Sequence, residues 1–350
     1  MDFNKETVKA RQELTQGIQT SRCKDCWSYE NNNQQSWRIK QNKVHRASKF
    51  INLNLQISSL CNQSCFYCLP SLSSSIKKFN LWPDTTSGEL IIYPEETRSK
   101  ITLEHITDFV KNIPTETTQF IFSLTGGEPF IIDNFHESMK YIIEVFFANN
   151  PNRTVLLCIS TNTNVNLKKL IDFYDMINVL KEKYKDRFTI RITSSIENLE
   201  ERAEYVRGGL VWSNFLENFK IHNTNADHHN IRLTINPFTI SKITDFFKYF
   251  SSYKNLEFLY NYTFQKFWRI EVLDDRFKKE LVNLEEYIIS NNLVNRFDPY
   301  PWYTELEKFI IDDKKNARLF KQAITGIDVV RKTNWRNVFP EYIDWVDSIN

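Results

Sequence analysis

Glycine is scarce in this sequence, and neither sign of charge is in clear excess. The chain has 7 glycines in 350 residues, far below the usual share of about 7%. Four of them form two doublets, Gly126-Gly127 and Gly208-Gly209. The formal net charge is +2, which gives no electrostatic argument for a nucleic-acid or membrane partner. Because glycine is so rare here, we expect the chemistry to lie near the places where it is used in pairs.

Long hydrophobic runs are also missing. No stretch approaches the roughly 18–20 apolar residues that a membrane helix requires, and the polar N-terminus lacks the apolar core of a secretory signal. We therefore expect a cytoplasmic protein. Five of the six cysteines lie in the first 68 residues. In a reducing cytosol, clustered cysteines indicate metal binding or catalysis rather than disulfides.

From residue 50 onward, strand-like and helix-like segments alternate. The segment 50–57 alternates apolar and polar residues, which predicts a strand, and five more strand-like segments follow. Thr102 is expected to cap a helix, with Glu104 in its first turn. Strands that alternate with helices favour parallel βα units. Six such units predict an α/β fold with a partial (β/α)6 TIM-like barrel, since eight would close the standard one.

The same pattern predicts three parts of the chain. Residues 1–48 form a polar N-terminal segment that carries a CxxC pair, and residues 49–262 form the barrel core. Residues 263–350 are aromatic and charged, with helix-like segments and no clear repeat, so we expect a C-terminal helical cap. The polar turns after the strands should share one rim of the barrel, where ligands bind in such folds.

Three cysteines follow the first strand directly, in the spacing CxxxCxxC: Cys61, Cys65 and Cys68. Three thiolates so close in sequence can hold one iron–sulfur cluster. A four-iron cluster with three protein ligands leaves one iron open to a small molecule, as in a catalytic metal site with an open position. The spacing alone also allows a zinc knuckle or three unrelated buried cysteines.

With Tyr67 before its last cysteine, this loop resembles that of the radical S-adenosylmethionine (radical SAM) enzymes. A second motif, Gly126-Gly127-Glu128-Pro129 after the next strand, resembles the GGEP motif of the same superfamily. The resemblance implies that this turn receives the amino group of the methionine moiety of S-adenosylmethionine. Two glycines would let the backbone approach the ligand closely, and Glu128 would supply a negative partner for the ammonium.

Further segments similar to the family follow in the expected order. The turn 160–162 resembles a polar turn of the family, although Thr163 stands where glycine is frequent. The end of the fourth strand resembles a SID-type segment, with Glu197 in place of Asp, and the resemblance implies that Ser195 and Arg207 meet the carboxylate or ribose of the cofactor. For Ser195, Glu197 and Arg207, a solvated strand end or a surface salt bridge is an equal alternative to a contact with the cofactor. The cofactor-binding residues implied by the resemblance are Tyr67, Gly126, Gly127, Glu128, Pro129, Asn162, Ser195, Glu197 and Arg207; the cluster ligands are Cys61, Cys65 and Cys68.

The remaining cysteines are harder to place. The segment with Cys23 and Cys26 is similar to the flanking region of SPASM/twitch-type radical SAM proteins, which carry auxiliary iron–sulfur clusters. Such a cluster normally takes four cysteines, so a vestigial pair or a metal site completed by another chain is an equal alternative. Cys158 lies in an apolar segment and is expected to be core. The segment 326–341 resembles the tail of twitch-type members, and no chemistry is assigned to it.

The resemblance implies a [4Fe-4S] cluster that reductively cleaves S-adenosylmethionine to methionine and a 5′-deoxyadenosyl radical, which abstracts hydrogen from a substrate. A peptide is the first expectation for that substrate, as in a maturase; a small molecule or nucleotide-like precursor is the alternative. An electron donor such as flavodoxin or ferredoxin is implied, and no nucleic-acid partner is indicated. A non-catalytic iron–sulfur or zinc-binding protein is the alternative from another class.

Overall fold

The computed structural model describes residues 50–69, 72–76, 102–113, 117–263, 265–297 and 301–349, together with residues 9, 12–14, 16–31, 36 and 39. The described strands are β1 (Phe50–Ser58), β2 (Ser64–Cys65), β3 (Gln119–Gly126), β4 (Thr154–Thr161), β5 (Phe188–Ser195), β6 (Arg207–Gly208), β7 (His228–Ile235) and β8 (Leu256–Tyr262). The described α-helices are α1 (Lys24–Asn31), α2 (Leu103–Lys111), α3 (Phe135–Asn149), α4 (Leu167–Tyr184), α5 (Glu200–Val206), α6 (Trp212–Asn225), α7 (Pro237–Ile240), α8 (Ile243–Ser251), α9 (Lys278–Ser290), α10 (Lys314–Arg331), α11 (Trp335–Val338) and α12 (Ile343–Ser348).

Six of the strands form one sheet in the order β1-β3-β4-β5-β7-β8. Every neighbouring pair in this sheet is parallel, and helices connect the successive strands from β3 to β8. This confirms the predicted α/β fold class with a partial (β/α)6 TIM-like barrel. The predicted cap of α2 is also confirmed, because the Thr102 side chain accepts from the backbone N–H of His105 and Glu104 lies in the first turn.

The two faces of the sheet differ in composition because side chains alternate along a strand. One face is apolar and packs against α3 and α4, with Phe120 stacked on Phe122 and Phe146 at ring-centroid distances of 5.7 and 5.2 Å. The opposite face carries polar side chains, such as Asn52 and Ser123, which share a hydrogen bond of 3.2 Å. We call this opposite side the concave face, since the helices cover the apolar one.

The C-terminal part of the chain shares a hydrophobic core with the end of the sheet. Trp268 and Phe320 lie in the same buried cluster as Phe238 and as Phe258 of β8. Phe66 from the loop after β1 also enters this cluster, with its ring centroid 4.4 Å from that of Trp268. The division at residues 48 and 262 stays a prediction, and most of the segment 1–48 lies outside the described residues.

No helix in the described part of the chain is long and apolar enough to cross a membrane.

Candidate functional site

The cysteine loop, residues 61–68, begins three residues after β1 ends and therefore lies at the carboxyl-terminal edge of the sheet. Its middle residues, Ser64 and Cys65, form β2, which pairs antiparallel with β6: Ser64 lies opposite Gly208, and Cys65 lies opposite Arg207. The backbone N–H of Phe66 continues this pairing by donating to the Val206 carbonyl at 3.2 Å. The loop is thus joined to a segment about 140 residues later in the chain.

Three consecutive serines after the loop hold its first residues. Ser75 Oγ donates to the Cys61 carbonyl at 2.6 Å, and the Cys61 N–H donates to Ser74 Oγ at 3.1 Å. Ser73 Oγ donates to the Gln63 carbonyl at 3.1 Å. These bonds satisfy backbone groups that no strand or helix would pair, so the beginning of the loop has a defined conformation.

The doublet Gly126-Gly127 lets the end of β3 approach the segment that leads into the loop. A Cβ on Gly127 would overlap with the carbonyl oxygen of Leu60, and a Cβ on Gly126 would overlap with that of Ser58. Gly126 also has a φ of +120°, which side chains rarely adopt. The sequence predicted close approach to a ligand at this doublet; the close approach in the structure is to residues 58–60, which precede Cys61.

The second doublet serves the other side of the cysteine loop. A Cβ on Gly209 would lie 2.8 Å from the carbonyl oxygen of Asn62, and a Cβ on Gly208 would lie 2.7 Å from Ser64 Oγ and 2.8 Å from the guanidinium carbon of Arg331. Gly126-Gly127 therefore contacts the segment that leads into the cysteine loop, and Gly208-Gly209 contacts the loop itself.

Glu128 is buried at the end of β3, with 1% of its surface exposed. Its carboxylate accepts from the backbone N–H of Asn162 at 2.6 Å, from Thr161 Oγ1 at 2.9 Å, and from the N–H of Phe130 at 3.2 Å. Pro129 opens the short 3-10 turn that Glu128 caps. Burial raises the pKa of Glu128 to about 7, and these three donors oppose the rise. Its carboxylate thus joins the turn after β3 to the turn after β4.

Two asparagines after β4 connect this carboxylate to the cysteine loop. Asn162 Nδ2 donates to Asn62 Oδ1 at 2.7 Å and lies 3.9 Å from Cys61 Sγ. Asn62 Nδ2 donates in turn to the Asn164 carbonyl at 2.6 Å, and Asn164 Nδ2 donates to the Gly209 carbonyl at 2.9 Å. Asn62 and Asn164 were not predicted from the sequence, because polar turn residues carry no pattern that reveals such a chain of bonds.

Thr163, between these asparagines, has a φ of +62°, which is unusual for a β-branched residue. It is fully buried. Its hydroxyl donates to Ser194 Oγ at 2.8 Å, and its carbonyl accepts from Asn218 Nδ2 at 3.0 Å. The turn therefore has the left-handed backbone for which glycine is the usual residue, and hydrogen bonds on both sides stabilise it.

Glu197 and Arg207 form a buried ion pair directly behind Cys65. Arg207 donates through Nε at 3.1 Å and through Nη2 at 2.6 Å to the Glu197 carboxylate, and Tyr67 Oη donates to the same carboxylate at 3.0 Å. Burial acts to lower the pKa of Arg207, but the Glu197 charge outweighs it and raises that pKa. The alternative of a surface salt bridge is wrong, because both side chains are almost fully buried.

Ser195 is the predicted cofactor residue that the structure does not join to this network. It is half-buried at the end of β5, on the concave face, and lies opposite Arg232 of β7. No hydrogen bond of its side chain to the other candidate residues is found in the described part of the chain. The implied contacts of Ser195 and Arg207 with a cofactor remain predictions, and Arg207 already has Glu197 as its partner.

The three thiols fit an iron–sulfur cluster in ligand type and in surroundings. Burial raises the pKa of Cys65 to about 11, whereas the charge of Arg207 lowers it; burial also raises the pKa of Cys61 and of Cys68. Thiolates need a cation to form in such a place, and cluster iron provides it. Arg207 Nη1 lies 3.8 Å from Cys65 Sγ, so hydrogen-bond donors surround the sulfurs as they do in such sites.

A site for one metal ion is not seen in the described residues, since no three His, Cys, Asp or Glu side chains are grouped so that they could hold one ion. A zinc ion requires its ligands within about 2.0–2.3 Å of one point, whereas thiolates that hold a four-iron cluster each bind a different iron.

The other cysteines lie elsewhere. Cys23 ends the short 3-10 turn before α1, and Cys26 lies in the first turn of α1. Both are half-buried and free. The expectation that Cys158 is core is wrong: it is half-buried on the concave face and pairs in register with Arg191. Strand alternation explains this, because the apolar neighbours of Cys158 in the sequence point to the opposite face.

Arg331, at the end of α10, was not predicted to take part in the site. It donates through Nη1 to the Tyr205 carbonyl at 2.7 Å and through Nη2 to the Ser64 carbonyl. Asp328, one turn earlier, accepts from Tyr205 Oη at 3.1 Å. The sequence singled out the segment 326–341 without assigning it chemistry; in the structure, its first part holds the pairing of β2 with β6 in place.

Comparison with known proteins gives only remote likenesses. No family model matches the chain, and no curated protein sequence is detectably similar to it. Among solved structures, the polyhistidine-tagged anSMEcpe with bound AdoMet has a TM-score of 0.48 at 18% identity, over 71% of this chain and 62% of the other. Native anSMEcpe with AdoMet and the Kp18Cys peptide has a TM-score of 0.47 at 17% identity, with the same coverage.

A third solved structure, TYW1 with a lysine–pyruvate adduct bound, has a TM-score of 0.38 at 14% identity, over 69% of this chain and 73% of the other. The chain thus spans less than two thirds of the length of the anSMEcpe structures it resembles. Likeness at this level assigns no activity, so the argument for function depends on the residues of the site.

Proposed function

We propose that this chain is a radical SAM enzyme, whose Cys61, Cys65 and Cys68 hold a [4Fe-4S] cluster. The observation that carries the proposal is the position of the three cysteines: they follow β1 at the carboxyl-terminal edge of the sheet, and the segment 58–60 that leads into them is hydrogen-bonded to the backbone of Gly127 and Glu128. When bound, the cluster supplies one electron to S-adenosylmethionine, whose carbon–sulfur bond then breaks to give methionine and a 5′-deoxyadenosyl radical.

The residues of the chain provide positioning and exclusion of water. The doublet Gly208-Gly209 and the Ser73–Ser75 segment contact the cysteine loop, and Gly126-Gly127 contacts the residues that lead into it. Glu128 keeps the turns after β3 and β4 together. These turns are proposed to bind the amino group of the methionine moiety of S-adenosylmethionine. Arg207 supplies a positive charge beside Cys65 Sγ, which favours the thiolate that iron requires.

For the substrate, we propose a peptide first and a small molecule or nucleotide-like precursor second. A flavodoxin or ferredoxin is the proposed electron donor, and the cytoplasm is the proposed location. Cys23 and Cys26 are proposed as ligands of an auxiliary metal site only if further ligands join them. The non-catalytic alternative, a structural iron–sulfur or zinc protein, would need neither of the turns that Glu128 joins.

The test is anaerobic reconstitution with iron and sulfide, followed by reduction in the presence of S-adenosylmethionine. One cluster should give about four irons per chain and release of 5′-deoxyadenosine, whereas an auxiliary cluster would raise the count to about eight. Cys65→Ala should lose both the cluster absorbance and the release of 5′-deoxyadenosine. The control is Val329→Ala, because Val329 is 75% exposed on α10. Bound zinc without iron, or full cleavage by Cys65→Ala, would overturn the assignment.

A further inference from the structure

The concave face of the sheet carries mainly polar side chains, although Ile121, Leu156 and Leu259 also point to it. The residues that point to this side from the six strands include Asn54 and Gln56 of β1, Thr125 of β3, Ser160 of β4 and Thr193 of β5. Asn54 Oδ1 accepts a hydrogen bond from Thr125 Oγ1 at 3.2 Å. A barrel interior that served only as core would be filled with branched apolar residues, so this one is suited to a polar ligand.

Three buried donor atoms on the concave face have no acceptor among the described residues: Nε2 of Gln56, Nε of Arg191 and Nε of Arg232. Buried polar atoms in folded proteins are almost always hydrogen-bonded. All three are donors, and two of them belong to guanidinium groups. A ligand that completed this set would therefore contribute acceptor oxygens, and a negative charge would suit the guanidinium groups best.

The charges on this face are also unbalanced. Arg191 and Arg232 are half-buried, and neither forms an ion pair with a described acid. Burial lowers the pKa of Arg232, as expected for a cation without a counter-ion. The only acid that the described strands carry on this face is Glu257 of β8, beside Asn230. Two guanidinium groups thus face one carboxylate.

Arg191 lies opposite His228 and Arg232 lies opposite Ser195, so their backbones are two strand repeats apart on the neighbouring strands β5 and β7, both on the amino-terminal side of the cysteine loop. Burial raises the pKa of the Cys158 thiol, and the charges of Arg191 and Arg232 both oppose that rise, so one side chain lies within electrostatic reach of both. Thr234, two residues after Arg232 on the same side of β7, lies close enough to Tyr67 to lower the pKa of its hydroxyl. One strand repeat of about 7 Å separates Arg232 from Thr234 along this strand.

We propose that Arg191 and Arg232 form a binding site for an oxyanion, a carboxylate or phosphate group of the substrate, inside the partial barrel. The site would hold this group on the concave face between the levels of Arg191 and Arg232, where both side chains act on Cys158. The identification of the ligand as substrate rests on the proposed function, whereas the binding of an oxyanion at these residues does not. A carboxylate would fit an acidic peptide, and a phosphate would fit a nucleotide-like precursor.

The test measures binding of inorganic phosphate and of succinate to the full chain by calorimetry, before any cluster is reconstituted. Arg191→Gln and Arg232→Gln should each weaken binding of the preferred anion about tenfold or more, since each removes a charged hydrogen-bond donor. Arg336→Gln is the control, because Arg336 pairs with Asp347 in the C-terminal part of the chain. Preference for succinate favours the peptide substrate, and preference for phosphate favours the nucleotide-like one; both support the site.

A variant that binds the anion more tightly than the parent would show that the arginine variants lose affinity for a reason other than misfolding. Glu257→Gln removes the one acid that the described strands place on the concave face and should strengthen anion binding severalfold, whereas a damaged fold would weaken it. Binding should also persist with S-adenosylmethionine present in saturating amount, since the site is meant for the substrate.

Three outcomes would overturn the proposal: no saturable binding of either anion, binding that both arginine variants leave unchanged, or competition by S-adenosylmethionine, which would assign the arginines to the carboxylate of the cofactor. These outcomes are independent of iron content and of 5′-deoxyadenosine release. Failure of the anion site and failure of the radical SAM assignment are therefore distinguishable.

Discussion

The two groups of cysteines in this chain lie in very different surroundings. Cys61, Cys65 and Cys68 occupy a loop that is paired with β6, contacted by the doublet Gly208-Gly209 and bordered by a buried ion pair. Cys23 and Cys26 lie where a short 3-10 turn runs into the eight-residue helix α1. Gly17, six residues before Cys23, would meet nothing within 4 Å if it carried a Cβ.

The difference shows how much of the rest of the fold supports the proposed cluster-binding loop. The spacing of the cysteines is a local property, since it depends only on the residues of the loop. Around Cys65, distant parts of the chain contribute an arginine, a carboxylate and glycines that let the loop fit. Such supporting contacts, rather than the spacing, distinguish the loop from the N-terminal pair.

The largest effect should come from breaking the buried ion pair. Glu197→Gln leaves the Arg207 guanidinium buried without a counter-ion and should lower the free energy of unfolding by about 3–5 kcal/mol, measured by chemical denaturation. The double variant Glu197→Leu/Arg207→Met should lose less, because removing both charges is often nearly neutral.

The N-terminal pair, Cys23 and Cys26, provides the comparison for that experiment. The double variant Cys23→Ala/Cys26→Ala should change the free energy of unfolding by no more than about 0.5 kcal/mol and should leave the iron content after reconstitution as it was. If this variant lost iron, or if Glu197→Gln were as stable as the parent, the contrast between the two regions would not hold.

An intermediate effect is expected from the titration of Glu128. Its pKa is raised by burial to about 7, against an ordinary 4.5, so between these two pH values the folded state keeps a proton that the unfolded state has released. The contribution to stability is complete below pH 4.5 and is lost as the pH rises towards 7; it is on the order of 3 kcal/mol.

Denaturation curves recorded across this pH range test the assignment. Glu128→Gln cannot titrate and should remove that part of the slope, whereas Glu182→Gln, at an exposed position of α4, should leave the slope unchanged. An unchanged slope in Glu128→Gln would show that the carboxylate is ionised throughout the range.

The smallest effect is the difference between two glycine substitutions. Gly127→Ala forces a Cβ against the Leu60 carbonyl and should cost about 3 kcal/mol, with weaker iron binding because Cys61 follows Leu60 directly. Gly17→Ala has open space but a φ of +75°, and should cost about 1 kcal/mol from backbone strain alone. Equal losses of stability and iron in both variants would remove the special role of the doublet.

The sequence was sufficient for the parts of this fold that depend on local periodicity. The alternation in 50–57 predicted β1, and the polar segment after Thr102 predicted α2 with its cap. Burial of one strand face and one helix face produces these patterns directly. The spacing of Cys61, Cys65 and Cys68 marked the candidate site for a similar reason, since the ligands of a cluster lie close in sequence.

Contacts between distant residues could not be predicted in the same way. The pairing of β2 with β6 involves only two residues on each strand, too few for any periodicity. Arg331 reaches Ser64 across 267 residues, and an arginine near the end of a helix has no distinguishing pattern. The segment that contains Cys158 was predicted as an apolar strand, and its continuous apolar residues suggested core because they gave no alternation from which the face of Cys158 could be read.

The hydrogen bonds that Arg331 donates to the Ser64 and Tyr205 carbonyls have a consequence for the order of events during synthesis. The cysteine loop leaves the ribosome early, yet the arginine that holds the Ser64 carbonyl is 267 residues further along, a delay of roughly 15–50 s at ordinary translation rates. Throughout that interval the nascent chain carries the three thiols without the hydrogen bond from Arg331 to their loop. If the loop holds the proposed cluster, its final conformation would therefore form only after α10 has been translated.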